Sequence, residues 1–264
     1  MPLEIVEPLP LDAFFRPPSW PKGTGALMTT RQGGVSAAPF DTLNLKAQTS
    51  DPLDQIAVAE NRRRFAATLA ATPVFLDQVH GARVVRLAAG HLGPEAPIER
   101  ADASITTVPG IACTVMVADC LPVLFATRDG RAVGAAHAGW RGLAGGVLEA
   151  TVDAIRAAVP VGAGDIVAWL GASIGPAAFE VGADVLAAFH DGEARHFVPA
   201  PARDGVPKWH ADLPALAEGR LRRLGLTQVS GCGECTVSDP SRFFSYRRDH
   251  VTGRLAAAAW IDVT

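Results

Sequence analysis

Short apolar runs separated by turn-forming clusters dominate the chain, and their spacing predicts strands interleaved with helices. "PVFLDQVHGARVVRL" reads as two short strands around Gly81, with β-branched and aromatic residues on either side. "ASITTVPGIACTVMVADC" predicts a turn at Pro109-Gly110, then a nearly continuous apolar run from Ile111 to Ala118 that suits a strand buried on both faces. "RAVGAAHAG" and "DIVAWLGASIG" predict two further core strands, and "GRLAAAAWI" predicts a last one. Between them, "LAGGVLEATVDAIRAAV" has apolar residues three and four apart, the spacing of an amphipathic helix. Further helices are expected around Val185 to His190 and Leu213 to Leu224. An earlier helix starts near Asp51 or Asp54 and places Ile56, Phe65 and Leu69 on its apolar face. The stretch "TTRQGGVSAAPFDTLNL" has no period and reads as a long loop, of a length uncommon unless it is functional. Buried strands mixed with helices predict an α/β or mixed α+β domain with central sheet, and with no repeat or linker in view residues 1–264 are read as a single domain.

Composition narrows the function classes. Lys and Arg total 24 against 27 Asp and Glu, a formal charge of -3, so no whole-molecule field draws the chain to nucleic acid or to anionic lipid. No stretch approaches the roughly 20 uninterrupted apolar residues of a membrane span. The N-terminal "MPLEIVEPLPLDAFF" has acids and prolines where a signal peptide would have a basic segment and an apolar run, so a cytoplasmic location is expected. Four irregularly spaced cysteines form no disulfide framework, which turns attention to metal or catalytic roles for single thiols.

Candidate chemistry gathers at strand ends, where α/β proteins usually bind ligands. The Ile111 to Ala118 run leads into "ADC" with Cys120, the Ala132 to Ala136 strand runs into His137, and His80 in "DQVHG" closes a strand before a glycine. Two imidazoles and a thiolate give zinc three protein ligands and leave a position for water, but residues so far apart in sequence match no local metal motif, and a lone His or Cys at the end of an apolar strand is more often a packed or capped residue than a ligand. "CGEC" with Cys232 and Cys235 stands alone and reads as two structural thiols. His80, His91 and His137 all lack a glutamate two residues on, which excludes the zinc nucleobase-deaminase signature, and no dinucleotide or P-loop fingerprint is present. For binding an anion through a planar fork, Arg31 and Arg247 lie in Gly-rich or aromatic-rich loops, whereas Arg62 to Arg64 read as the solvated face of a helix.

The ordered motifs "TRQGGVS", "LNL", "DQVHG", "ADASIT", "ADCLPVLF", "AAHAGWRG", "GASIGP" and "FFSYRR", followed by "TGR", run from about Ala26 to Trp260. In that order they resemble the group labelled multicopper polyphenol oxidase or laccase domain, also described as the purine nucleoside phosphorylase family with adenosine deaminase activity. The resemblance implies a fold similar to that of the cysteine hydrolase domain of cytotoxic necrotizing factors, and one zinc held by His80, Cys120 and His137, a set that also accepts copper in vitro. It implies phosphorolysis of adenosine, inosine, guanosine and methylthioadenosine, with purine nucleosides and phosphate as small-molecule partners, and hydrolytic deamination of adenosine. Arg31, Asn44 and Arg247 match family motifs and are the substrate-binding candidates; Cys120, His137 and Asp119 are the catalytic ones, Asp119 either transferring protons or orienting its loop. Two enzyme readings share these atoms, the alternative being a cysteine- or zinc-dependent amide hydrolase that edits peptidoglycan precursors. A non-enzymatic metal-binding protein is the third reading, which a fourth ligand such as Cys113 or Cys235 would favour. Polyphenol oxidation fits poorly, because a multicopper centre needs many placed histidines and four of the seven here, His91, His190, His196 and His210, lie outside the matched motifs.

Overall fold

The computed structural model describes residues 6–46, 52–93 and 95–263. In chain order its elements are β1 Phe14–Phe15, β2 Thr24–Thr29, α1 Pro52–Leu69, β3 Thr72–Val74, β4 Val84–Leu87, β5 Ala103–Thr106, β6 Ile111–Val117, β7 Leu121–Thr127 and β8 Val133–Ala138. There follow α2 Trp140–Ala144, α3 Val147–Ala158, β9 Ile166–Leu170, β10 Glu180–Val181, α4 Ala183–Ala187, β11 Phe197–Arg203, β12 Val206–Ala211, α5 Leu213–Arg223, β13 Gln228–Gly231, α6 Tyr246–Asp249 and β14 Leu255–Ile261. The fold is mixed α+β. A five-stranded mixed sheet, in order β1-β2-β14-β6-β3, faces a six-stranded mixed sheet, in order β13-β9-β7-β8-β5-β4, and β10-β12-β11 form a separate antiparallel ribbon.

Period-two alternation along the central strands sorts their side chains into three apolar layers. On β14, Leu255, Ala257 and Ala259 point between the two large sheets, whereas Ala256, Ala258 and Trp260 pack outward with Phe65 and Leu69 of α1. On β7, Leu124 and Ala126 enter the layer between the sheets, and Leu121, Val123 and Phe125 pack on the other side with Val147, Val152 and Ile155 of α3. Small residues let the sheets approach: four of the seven β14 residues are alanine. Val133 and Ala135 of β8 occupy the inter-sheet layer, and the same parity brings His137 to that face at the strand's end.

Several sequence expectations shift by local physics. The strand expected to stop at Ala136 continues through His137 to Ala138, because Leu121 and Pro122 of β7 pair with Ala138 and His137. His80 does not close a strand; it lies in the loop between β3 and β4 with a left-handed φ of 62°. The helix expected over Leu143 to Val159 is interrupted at Gly145-Gly146, where Gly146 takes φ 89° and restarts α3. In α1, Ile56 is 69% exposed, and Val58, Phe65 and Leu69 are the buried apolar positions. Asp51 lies outside the described residues, and Asp54 is buried in the first turn, where its carboxylate accepts from Asn44 Nδ2. The expected helix around Val185 to His190 contracts to α4, followed by a 3-10 segment over Asp191–His196. The β11–β12 ribbon and β13 were not foreseen, their residues being only partly apolar and partly buried.

A buried ion pair ties the helical layer together. Arg220 of α5 grips Glu193 through Nε at 2.8 Å and Nη2 at 2.9 Å, and its Nη1 donates to the carbonyls of Leu143 and Ala144 at the end of α2. The Leu143 carbonyl also takes the Gly146 amide at 3.1 Å, and the arginine adds a side-chain donor to the C-terminal end of the short helix that follows His137. Burial alone would raise the Glu193 pKa, but the hydrogen bonds from Arg220 and Arg223 outweigh it and hold the carboxyl at about 2. A carboxyl lowered in the folded state contributes stability above its unfolded value, and that contribution is lost as pH falls through the folded value. Glu193→Gln leaves buried Arg220 with only the partly exposed Glu149 carboxylate, 3.5 Å from its Nη1, so the variant is expected to lose about 3 kcal/mol at neutral pH. Denaturant titrations at descending pH should show the deficit narrowing below the ordinary carboxyl value of 4.5 toward about 2; a pH-independent deficit would contradict the ion-pair account.

Candidate metal centre

Three chain reversals converge where the large sheets end. The turn between β6 and β7 carries Asp119 at φ 91°, which sets Cys120 immediately before β7. The Asp119 carboxylate is fully engaged, accepting from the Thr236 hydroxyl at 2.6 Å and from the Arg247 amide at 2.6 Å. Asp119 therefore holds this turn to the C-terminal loop. His137 comes from the end of β8 and is buried. His80 comes from the β3–β4 loop and is exposed.

Asp102 assembles the last two. Its side chain is completely buried, and its carboxylate accepts from the backbone amides of Val79, His80 and Gly81 at 3.1, 2.8 and 2.7 Å and from His137 Nδ1 at 2.8 Å. Burial would raise the Asp102 pKa, but the His137 and amide hydrogen bonds outweigh it and lower it. With Nδ1 committed to Asp102, the other ring nitrogen of His137, Nε2, is the one available to the site.

The ligand atoms of His80, Cys120 and His137 all lie within 4.8 Å of one another, with Cys120 Sγ 3.8 Å from His80 Nε2. Burial would raise the Cys120 pKa, yet the charge and hydrogen bond of His137 and the hydrogen bond of His80 lower it. The same coupling, joined by Asp102, raises His137 against its own desolvation. A thiolate and two oriented imidazoles are the donor set of a borderline-soft divalent cation, so the residues present fit one metal ion. Among the described residues no other group of three His, Cys, Asp or Glu side chains converges in this way. Neither Cys113 nor Cys235 joins it: Cys113 is enclosed in β6, where burial pushes its thiol to about 12, and Cys235 accepts from the Gly175 amide and the Ser238 hydroxyl.

Gly139 makes the convergence sterically possible. A Cβ at this position would stand 2.8 Å from Cys120 Sγ and 3.2 Å from His80 Cδ2. Next along, Arg141 stacks over Trp140 at 4.3 Å, outside the cluster.

The cluster opens into a cavity of about 750 Å³. Phe75, Leu76, Ile98 and Met116 give it an apolar side, and Lys46, Arg62 and Arg254 give it cations. Arg31, Asn44 and Arg247, the residues named from sequence for substrate binding, are not among its lining. Arg31 is bound to Asp41 and to the Pro240 carbonyl and stacks on Phe244. Asn44 is buried against Asp54, and Arg247 donates to the carbonyls of Ala178 and Glu180. Conversely, Arg62 does not belong to a solvated face: it turns inward over the Phe75 ring at 3.8 Å, while Arg63 and Arg64 pair with Glu60. Asp102 was also missed, although an acid beside a run as apolar as "ASIT" is a signal in itself, since a carboxylate there must find donors.

Comparison with known proteins gives the chain its relatives. The family described as multi-copper polyphenol oxidoreductase laccase matches residues 25–262. A Pseudomonas aeruginosa protein named as a purine nucleoside phosphorylase is 51% identical over 250 residues, covering 93% of this chain and 97% of its own. An Escherichia coli protein of the same name is 47% identical over 248 residues, covering 92% and 97%. A solved Neisseria meningitidis structure superposes with a TM-score of 0.84 at 43% identity, over 95% of this chain and all of its own. YlmD from Geobacillus stearothermophilus superposes at 0.83 with 28% identity, over 98% and 99%.

Two substitutions that spare every ligand test the assembly. Gly139→Ala is expected to weaken metal binding at least tenfold by crowding Cys120 and His80, and Asp102→Asn is expected to weaken it about 10- to 100-fold by loosening the His137 ring and the His80 loop. Calorimetric titration with a divalent metal against a competing chelator reads both; unchanged affinity in either removes that residue from the account.

Proposed function

The chain belongs to the multi-copper polyphenol oxidoreductase laccase family, and from that membership we propose that it is a zinc-dependent purine nucleoside enzyme, catalysing phosphorolysis of adenosine, inosine, guanosine and methylthioadenosine and hydrolytic deamination of adenosine. The observation that carries the reading is a single three-ligand cluster on the wall of a cavity of about 750 Å³, a size within the roughly 300 to 1,000 Å³ typical of small-ligand sites. Relatives sharing about half of the sequence carry the phosphorylase name. One cluster of three donors suits a mononuclear site and falls short of the histidine-rich ligand set of a multicopper oxidase.

His80, Cys120 and His137 hold the zinc in this reading. When bound, zinc supplies Lewis acidity and makes water a competent nucleophile near neutral pH, which deamination at the purine C6 needs. The protein's part is positional. Asp102 fixes the His137 ring, Asp119 fixes the Cys120 turn through Thr236 and the Arg247 amide, and the apolar wall offers the base a surface from which water is displaced. In phosphorolysis a phosphate oxygen bonds to the ribose C1′ as the C1′–N9 bond breaks, giving ribose 1-phosphate and a free base whose ring nitrogen takes the proton. That reaction needs the phosphate aimed at C1′ by donors fixed in advance. In this reading Arg31 and Arg247 brace loops through their bonds to Asp41 and to the carbonyls of Pro240, Ala178 and Glu180.

A second reading rests on the succession of Cys120, His137 and Asp102, in which the thiol lies within 4.8 Å of an imidazole whose Nδ1 is held by a buried carboxylate. That is the geometry of a cysteine nucleophile, and it suits hydrolysis of an amide such as those of peptidoglycan precursors.

One comparison separates them: metal content and turnover of adenosine and inosine, with and without phosphate, for the native chain and Cys120→Ala. The nucleoside reading expects about one zinc per chain, phosphate-dependent release of base and phosphate-independent loss of ammonia from adenosine, all abolished in the variant. Stoichiometric zinc with no nucleoside turned over overturns it, and rapid alkylation of Cys120 with cleavage of muropeptide amides would install the second reading.

A further inference from the structure

Most arginines of this chain are spoken for by a carboxylate. Arg31, Arg63, Arg64, Arg83, Arg131, Arg203, Arg220, Arg242 and Arg248 all have one within 3.2 Å. The cations of the central cavity do not. Among the described residues, Lys46, Arg62 and Arg254 have no carboxylate partner, and Asp77 is the one carboxylate in the cavity lining.

The three are held by one backbone segment. Asn44 Oδ1 accepts from the amides of both Lys46 and Arg254, the Leu45 amide donates to the Arg254 carbonyl, and Arg62 Nε donates to the Leu45 carbonyl. Asn44 itself is pinned by Asp54 and by the Asn61 side chain. The hydrogen bonds of the guanidinium groups leave donors over. Arg254 uses Nη1 on the Thr252 and Gly253 carbonyls, and its Nε and Nη2, the edge that takes an oxyanion side-on, have no hydrogen-bond partner among the described residues. Arg62 stacks on Phe75, directs Nε to Leu45 and Nη2 toward Met116 Sδ at 3.7 Å, and leaves Nη1 without a partner among the described residues. The Lys46 side chain makes no hydrogen bond or ion pair at all among the described residues. Burial pushes Arg62 down to about 10 and lowers Arg254 as well. Half-buried cations without counter-charges are costly to the folded chain, and a ligand that supplies the counter-charge offsets that cost.

We infer that Lys46, Arg62 and Arg254 form an oxyanion subsite beside the His80, Cys120 and His137 cluster, and that its ligand is inorganic phosphate. This assignment rests on the nucleoside reading, where phosphate is the second substrate. Arg254 provides the bidentate edge, Arg62 and Lys46 the remaining charge, and Asn44 acts as a positioning residue that fixes Lys46 and Arg254 relative to each other. The family resemblance implies a substrate-binding part for Asn44, and in this proposal that part is indirect, through the amides of Lys46 and Arg254.

The test is calorimetric titration of metal-loaded protein with inorganic phosphate at low ionic strength, with metal content measured on each sample. Arg254→Gln, which keeps a donor for the neighbouring carbonyls, is expected to bind phosphate about tenfold or more weakly at unchanged metal content. Lys46→Ala removes a side chain with no partner, leaves folding untouched and is expected to weaken phosphate severalfold, with a shallower salt dependence than the native chain. Affinities equal to native in both variants overturn the subsite, as does a native chain that binds no phosphate. Phosphate binding lost in Cys120→Ala but intact in Arg254→Gln places the anion on the metal and also overturns it. Acetate binding more tightly than phosphate in an Arg254-dependent manner replaces phosphate by a carboxylate ligand. Arg254-dependent phosphate binding without nucleoside turnover overturns the nucleoside reading alone, whereas turnover with unaltered phosphate affinity in the variants overturns the subsite alone.

Discussion

One buried carboxylate organises the site. Asp102 is withdrawn from water, a placement that is costly unless the charge is met by donors, and it is met four times: by three successive amides of the His80 loop and by the ring of His137. The loop has no regular structure of its own, so its path is set by what its amides bond to. Asp102 thus converts a loop residue and a strand residue, 57 positions apart, into a fixed pair, and Cys120 is delivered to that pair by the β6–β7 turn. The arrangement depends on the carboxylate staying ionised, and the groups that keep it so are the groups it positions.

The sheet scaffold supplies rigidity around that charge. β8 is paired on both sides, by β5 and β7, and His137 lies opposite Pro122 in a register that a one-residue slip would reverse, turning the imidazole toward the helical layer. The helix that follows is only five residues long and is finished from outside by Arg220, so the Glu193 ion pair reaches the site through the end of α2. Glycine completes the fit at 139, where the space of a missing side chain is the space the sulfur and imidazole use.

Much of this was legible in the sequence, and the remainder was hidden for identifiable reasons. Long buried strands announce themselves by apolar runs, and β6, β8, β9 and β14 fall where those runs are. The trio His80, Cys120 and His137 was suggested by strand ends and sharpened by the family motifs, since residues 40 and 17 positions apart have no local signature. The cationic wall was misread because hydrophilic helix residues look alike in sequence: nothing local distinguishes Arg62, which stacks on Phe75, from Arg63, which pairs with Glu60. Arg31 and Arg247 sit in motif loops and bond to backbone carbonyls of other segments, and a motif marks a constrained residue without saying whether the constraint is architectural. The β11–β12 ribbon escaped notice because its outer strand is largely exposed and carries no alternation.

The left-handed backbone at His80 and Asp119 has a historical consequence. At φ 62° and 91° glycine is the residue the local backbone prefers, and any other residue carries a strain of roughly 1 to 2 kcal/mol. At Asp119 that strain is offset by the bonds to Thr236 and the Arg247 amide, so the fold keeps the residue whatever its chemistry. His80 is exposed and has no such tie for its side chain, so once its chemistry lapses the local backbone favours its loss. Descendants of this chain that abandon its chemistry should therefore drift toward glycine at position 80 ahead of position 119, and the difference between the two would act as a record from which lapsed lineages could be told from working ones.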